Sequence, residues 1–169
     1  MAPAFRRGEA TSVQGHSDRE RIVTDIVART GIDEPMIERL VHRFYSRARL
    51  DPTIGPVFES KVEDWDRHLE RMCAFWSSVA LMSGRYHGQP MAKHFALPID
   101  AHHFDRWIEI FAETAREICP PAAAAHFIER ACNIADSLEL GIAASKGEIR
   151  APRHRLSEMR PPAQEADRT

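Results

Sequence analysis

The chain reads as an all-α fold, and three observations predict it. Apolar residues recur at helical spacing through most of the sequence, as in Ile37, Leu40, Val41, Phe44, Tyr45 and Ala48. Helix start and stop signals punctuate that pattern: Asp33 and Asp100 ahead of apolar runs, Gly31, Gly84 and the Pro120-Pro121 pair behind them. No segment alternates apolar and polar residues as a strand does, and no internal repeat is present. A length of 169 residues suits one domain. A chain of that size buries roughly two thirds of its unfolded surface, enough for a single core.

Residues 1–16 are polar, contain Gly and Pro, lack periodicity, and read as a disordered arm. Ser17 and Glu20 form a capping-box pattern ahead of Ile22, Val23, Ile26 and Val27, a first helix that stops at Gly31. Asp33 caps a second helix with Pro35 in its first turn. From Asp51 to Glu59 two prolines and a glycine predict a rigid corner, not a helix. A third helix is expected over about 64–83, with Trp65, Leu69, Met72, Phe75, Trp76, Val79 and Met82 on its apolar face. Asp100 caps a helix bearing Phe104, Trp107, Ile108, Phe111, Ala115 and Ile118. A last helix spans about 122–144, with Phe127, Ile128, Ala131, Ile134, Ala135 and Leu138 inward. Residues 17–145 therefore form the expected folded domain. Residues 146–169 form a charged tail, flexible or partly helical around Leu156.

Composition narrows the function. A net charge of -2 gives no general attraction to nucleic acid or anionic membrane. No run reaches the roughly 20 apolar residues of a membrane helix. The N-terminus lacks an apolar signal core, which points to a cytoplasmic protein. Cys73, Cys119 and Cys132 are scattered and form no Cys-x-x-Cys pair, as in a reducing compartment.

Chemistry concentrates in a fenced segment. His94 lies in Met91-Ala92-Lys93-His94-Phe95-Ala96-Leu97, between Pro90 and Pro98. Proline fixes its own φ and pushes the preceding residue out of helical geometry. The segment is thus a stub of at most about two turns, and its histidine is placed to ligate something wedged between helices. His68 borders a buried face, three residues after Trp65 and four before Met72. Tyr45 and Trp107 each join an apolar body to one polar atom. Taken singly, each of these three also fits a core position with its polar atom satisfied locally. Together with His94 they come from four separate helices and share one character. The other histidines read as surface: His16 and His154 in the ends, His42 and His126 on helices, His87, His102 and His103 in or near loops. A metal site of His94, His102 and His103 lacks a completing carboxylate. No nucleophile triad, phosphate loop or His-Glu-x-x-His motif occurs.

An ordered set of landmarks then resembles the truncated haemoglobins, specifically their third group. The set runs Phe44-Tyr45, Asp51-Pro52-Thr53-Ile54-Gly55-Pro56-Val57-Phe58, Asp64-Trp65-Asp66-Arg67-His68-Leu69 and Phe75-Trp76. It continues with Tyr86-His87-Gly88-Gln89-Pro90, His94, Leu97-Pro98 and His103-Phe104-Asp105-Arg106-Trp107-Ile108. The glycine-rich loop motifs of the other truncated groups are not evident. The match covers about residues 37–138, and both ends extend beyond it.

The resemblance implies a two-over-two helical sandwich around one non-covalent haem b. His94 looks like the proximal iron ligand, and Phe58 like the phenylalanine that packs on the haem. Tyr45, His68 and Trp107 fall on the distal, ligand-stabilising positions, with Met72 and Trp76 as apolar wall. Arg85, Tyr86 and Lys93 are the nearest candidates for the haem propionates. The implied function is tight dioxygen binding at a five-coordinate ferrous iron, serving nitric oxide dioxygenation or peroxide chemistry. The implied partners are diatomic gases (O2, NO, CO) and an external reductase, with the chain a monomer or weak dimer. The alternative is a non-enzymatic protein that binds, scavenges or senses oxygen, nitric oxide or sulfide. The partner of the second His94 nitrogen bears on the choice: a carbonyl favours ligand binding, a carboxylate favours peroxide cleavage.

Overall fold

A computed structural model describes residues 10–159. The helices are α1 Ala10–Thr30, α2 Glu34–Ala48, α3 Gly55–Glu59, α4 Trp65–Leu81, α5 Pro90–His94, α6 Ala101–Ile118, α7 Pro121–Ser145 and α8 Arg155–Glu158. No strand occurs among the described residues. The all-α expectation holds, and the five long helices appear in the order the periodicity predicts.

Local chemistry explains the boundaries. Asp33 accepts the Met36 N–H at 2.8 Å, and Asp64 accepts the Arg67 N–H at 3.0 Å. Asp100 accepts the N–H groups of His102 and His103, and the His103 ring returns to the Asp100 backbone, closing a capping box. At the end of α4, Met82 takes the left-handed conformation at φ 51° and Gly84 follows at φ 71°.

Two expectations are corrected. α1 begins at Ala10, so it takes in residues 10–16 that read as part of the arm, and Ser17 lies within the helix. The local polarity of that stretch does not prevent it from continuing a helix already formed beyond it, because propagation needs no new nucleus. Residues 1–9, the rest of that arm, lie outside the described residues. The Asp51–Glu59 corner contains a helix, α3, because Pro56 sits in its first turn, where a missing N–H costs nothing. In the tail, the short helix α8 contains Leu156 and packs against α7, while residues 160–169 lie outside the described residues.

α2 packs on α4 and α6, α6 on α7, and α4 on α7, so two helix pairs lie one over the other. α5 and α8 lie against α7, and α1 touches α4 and α7. The core centres on Ile37, Leu40 and Phe44 of α2, Trp76 of α4, Phe111 of α6 and Phe127 of α7. Each such side chain contributes roughly 1.5–3 kcal/mol by leaving water. Trp76 stacks on Phe111 with centroids 4.7 Å apart. Ala131 and Ala135 of α7, both fully buried, let neighbouring helices approach closely. α1 contributes less: Ile26 is buried, but Ile22 and Val27 remain exposed.

The corner between α2 and α3 is built on Asp51, only 7 % exposed. Its carboxylate accepts the Thr53 N–H at 2.9 Å, the Ile54 N–H at 3.1 Å and the Arg106 Nε–H at 2.7 Å. Burial alone raises its pKa. Arg106 and the two backbone N–H groups outweigh burial and hold the carboxyl below the usual range. Gly55 lies so close to the end of α2 that a Cβ there would stand 2.5 Å from the Arg49 carbonyl oxygen.

Two outcomes follow for stability. Gly55→Ala should cost about 1–3 kcal/mol by overpacking, measured by urea denaturation. The folded-state pKa of Asp51 is depressed, so its contribution is full above the unfolded value of about 3.9. That contribution is lost as pH falls through the folded value. Asp51→Asn should therefore flatten the acid limb of stability against pH, as read from denaturation midpoints on descending pH.

Candidate functional site

The site starts from the last turns of α2, where Phe44 and Tyr45 are both buried. The Tyr45 ring meets Phe58 of α3 at 5.4 Å, Trp65 of α4 at 6.0 Å and His68 of α4 at 5.0 Å, all edge-on. Trp65 also touches His68 at 5.6 Å, and the Arg49 guanidinium covers Trp65 at 4.0 Å. Phe44 carries the cluster to α6, lying 5.9 Å from Trp107, which stacks on Phe111 at 5.4 Å. The three residues Tyr45, His68 and Trp107 are thus joined in one aromatic wall contributed by α2, α4 and α6.

The polar atoms of that wall are few and under-used. The Nε2 of His68 is buried and has no hydrogen-bond partner. Burial, with Arg71 adding to it, lowers the His68 pKa and keeps the ring neutral. Burial, with Cys73 beside it, pushes the Tyr45 phenol well above its ordinary range, so the hydroxyl stays a donor. Buried polar groups are normally satisfied. A nest of rings holding an orphaned imidazole nitrogen and a protonated phenol is arranged for a ligand with a polar atom to meet them.

His94 stands apart from these rings, with no ring contact to them among the described residues. It ends α5, which Pro90 starts. Its Nδ1 lies 2.7 Å from the Pro90 carbonyl oxygen. A carbonyl only accepts, so Nδ1–H donates to it, and Nε2 is the ring nitrogen left for a metal. α5 rests on α7, where Gly141 leaves room for Met91: a Cβ there would overlap the Met91 sulfur. A haem fits these residues. One imidazole donates through Nδ1 and turns its other nitrogen free for a metal, and the aromatic wall holds an orphaned imidazole nitrogen and a buried phenol.

A model of the bacterial-like globin family matches residues 29–138. The chain belongs to that family.

This globin is 33% identical over 88 residues to the group 3 truncated hemoglobin ctb of Campylobacter jejuni, covering 49% of this chain and 69% of that protein. It is 28% identical over 79 residues to the group 2 truncated hemoglobin YjbI of Bacillus subtilis, covering 46% of this chain and 60% of that one. The crystal structure of group III truncated hemoglobin from Campylobacter jejuni superposes with a TM-score of 0.61 at 29% identity. That likeness covers 64% of this chain and 89% of the other. The third-group resemblance and the truncated-globin fold read from the sequence both hold, and membership makes the chain a haem-binding globin.

The remaining expected site residues are more dispersed in the globin. Met72 is half-buried against the core, and Trp76 lies within it, stacked on Phe111. Arg85 pairs with Glu34 at 2.8 Å. The Tyr86 ring packs on Phe75 at 5.2 Å, and its N–H donates to Ser78 Oγ at 2.9 Å. Lys93 is exposed on α5. His103 serves the α6 cap, and no three His, Cys, Asp or Glu side chains cluster for a metal ion among the described residues. His126, expected at the surface, is half-buried with its Nε2 enclosed, because its face of α7 turns towards Ala80 of α4. No helix among the described residues is long and apolar enough to cross a membrane.

Spacing did not single out Phe44, Trp65 or Arg49 for the site, although each shapes it. Phe44 and Trp65 read as core, and their adjacency to Tyr45 and His68 was the available signal. An unpartnered buried nitrogen costs stability, about 1–3 kcal/mol in general. Replacing His68 with Leu should raise the melting temperature of the haem-free globin in calorimetry. It should also remove a rise of stability with pH through the imidazole range, because the folded pKa is the lower one.

Proposed function

We propose that this globin binds dioxygen tightly on a haem b held by Nε2 of His94 and turns it over with nitric oxide to nitrate. An external reductase restores the haem. The observation that carries this reading is the hydrogen bond from His94 Nδ1–H to the Pro90 carbonyl at 2.7 Å. A carbonyl leaves the imidazole neutral, whereas a carboxylate would load negative charge onto it. The first arrangement supports holding a ligand and the second supports peroxide cleavage, so peroxide chemistry is the weaker reading.

When bound, the haem supplies a ferrous iron that takes up diatomic gases. The chain supplies the surroundings. Phe58 and Met72, both half-buried, offer apolar surface to a macrocycle, with Trp76 packed behind them in the core. Arg85, Tyr86 and Lys93 are the nearest groups for its propionates. Tyr45 and Trp107 offer an O–H and an N–H to a ligand carrying partial negative charge. A hydrogen bond to a charged acceptor contributes about 1.5–3 kcal/mol, roughly tenfold to a hundredfold in affinity. His68, kept neutral, adds a third polar atom beside Tyr45. Slow release of dioxygen suits consumption of the gas more than its transport.

The cytoplasm, with its reductases, is the proposed compartment, and a monomer or weak dimer the proposed state. The competing reading is a protein that binds, scavenges or senses oxygen, nitric oxide or sulfide without turnover. Stopped-flow mixing of the reduced, dioxygen-equilibrated protein with nitric oxide separates the two. Rapid nitrate formation sustained by a flavin reductase is expected, and sluggish nitrate formation would overturn the enzymatic reading. Tyr45→Phe should speed dioxygen release by about tenfold to a hundredfold. His94→Ala should abolish the five-coordinate ferrous spectrum, and its survival would assign the ligand elsewhere.

A further inference from the structure

Residues 139–159 lie beyond the segment that matches the globin family. They nevertheless contain a deeply buried cation, Arg155, which is 2 % exposed. Its Nε–H donates to Asp105 at 2.9 Å, one terminal nitrogen to Asp136 at 2.6 Å, and the other to Glu139. Its backbone N–H donates to the second oxygen of Asp136 at 3.2 Å. Nearby, Arg153 grips both oxygens of Asp105 at 2.9 and 3.1 Å. A buried charge is tolerated only when fully paired, and geometry must be good for the pairing to offset lost hydration. The cluster therefore holds α8 in one place on α6 and α7.

Asp105 is two residues before Trp107, and Arg106 between them binds Asp51 at 2.7 Å. The start of α6 is thus gripped on one side by α8 through Asp105 and on the other by the α2–α3 corner through Arg106. Trp107 is the next residue. It is half-buried and stacks on Phe111 of the same helix at 5.4 Å, so its indole N–H turns with the roll of α6.

We propose that the C-terminal extension is a clamp that orients Trp107 in the ligand pocket, with Arg155 a positioning residue acting through Asp105. The proposal rests on the haem-binding reading of that pocket.

The test uses the full-length, haem-loaded protein. Dioxygen release is timed by stopped flow for Arg155→Met and Arg155→Lys, each in the native and the Trp107→Phe background. Hydrogen exchange at residues 146–159 reports whether the clamp has opened. Arg155→Met is expected to raise exchange and to speed release about threefold or more, with Arg155→Lys restoring part of the difference. In the Trp107→Phe background the same replacement should leave release unchanged. An equal effect in both backgrounds, or raised exchange with unchanged release, overturns the clamp. Should Arg155→Met not fold, Asp105→Asn, which leaves Arg155 two carboxylates, is read by the same criteria. Wild-type protein that takes up no haem overturns the pocket reading and the clamp together. Haem uptake with unchanged release in the variants overturns the clamp alone.

Discussion

The carboxylate of Asp51 is the constraint on which the aromatic wall depends. It closes the corner after α2 by accepting two backbone N–H groups, and it reaches α6 through Arg106. The corner delivers Phe58 to Tyr45, and the Arg106 contact holds the α6 turn that carries Trp107. A single buried anion thereby ties together elements that are distant in sequence. A buried charge with good partners is specific more than it is stabilising, because few alternative arrangements satisfy it. Removing either partner would leave the other uncompensated, so the corner and α6 are coupled in position.

Around that frame the aromatic wall is made almost wholly of ring faces and edges. Phe44, Tyr45, Phe58, Trp65, His68 and Trp107 meet one another edge-on, apart from the stacked run of Trp107, Phe111 and Trp76. Such a cluster of rings leaves polar atoms at only a few fixed points. In low dielectric each of those atoms acts more strongly on whatever meets it, and costs more when nothing does. The orphaned Nε2 of His68 is the local sign of that cost. A core selected for stability alone would place an aliphatic residue there.

The chain beyond the matched segment adds to the fold instead of trailing from it. α1 packs on α4 and α7 with little apolar burial, while α8 is held by buried ion pairs. These are different kinds of attachment. The first is non-directional, and the second fixes one register, because three carboxylates from two helices must converge on one guanidinium.

The sequence by itself determined the class of fold, the order of the long helices and the identities of the residues that carry chemistry. Periodicity sets which face of a helix is buried, and caps and prolines set where it ends, and both are local properties. Pro90 and Pro98 made His94 conspicuous for that reason. Tyr45, His68 and Trp107 were legible as polar-tipped residues on inward faces, but their grouping was not. It depends on how α2, α4 and α6 cross. α3 was missed because its proline and glycine read as breakers, whereas Pro56 sits in the first turn where a helix tolerates it, and the corner is fastened by Arg106 from far along the chain. The proton on His94 Nδ1 is decided by a carbonyl one turn earlier on a stub that α7 holds in place. The role of the tail was equally hidden. Arg155 is an ordinary surface residue by composition, and only the tertiary structure brings Asp105, Asp136 and Glu139 around it.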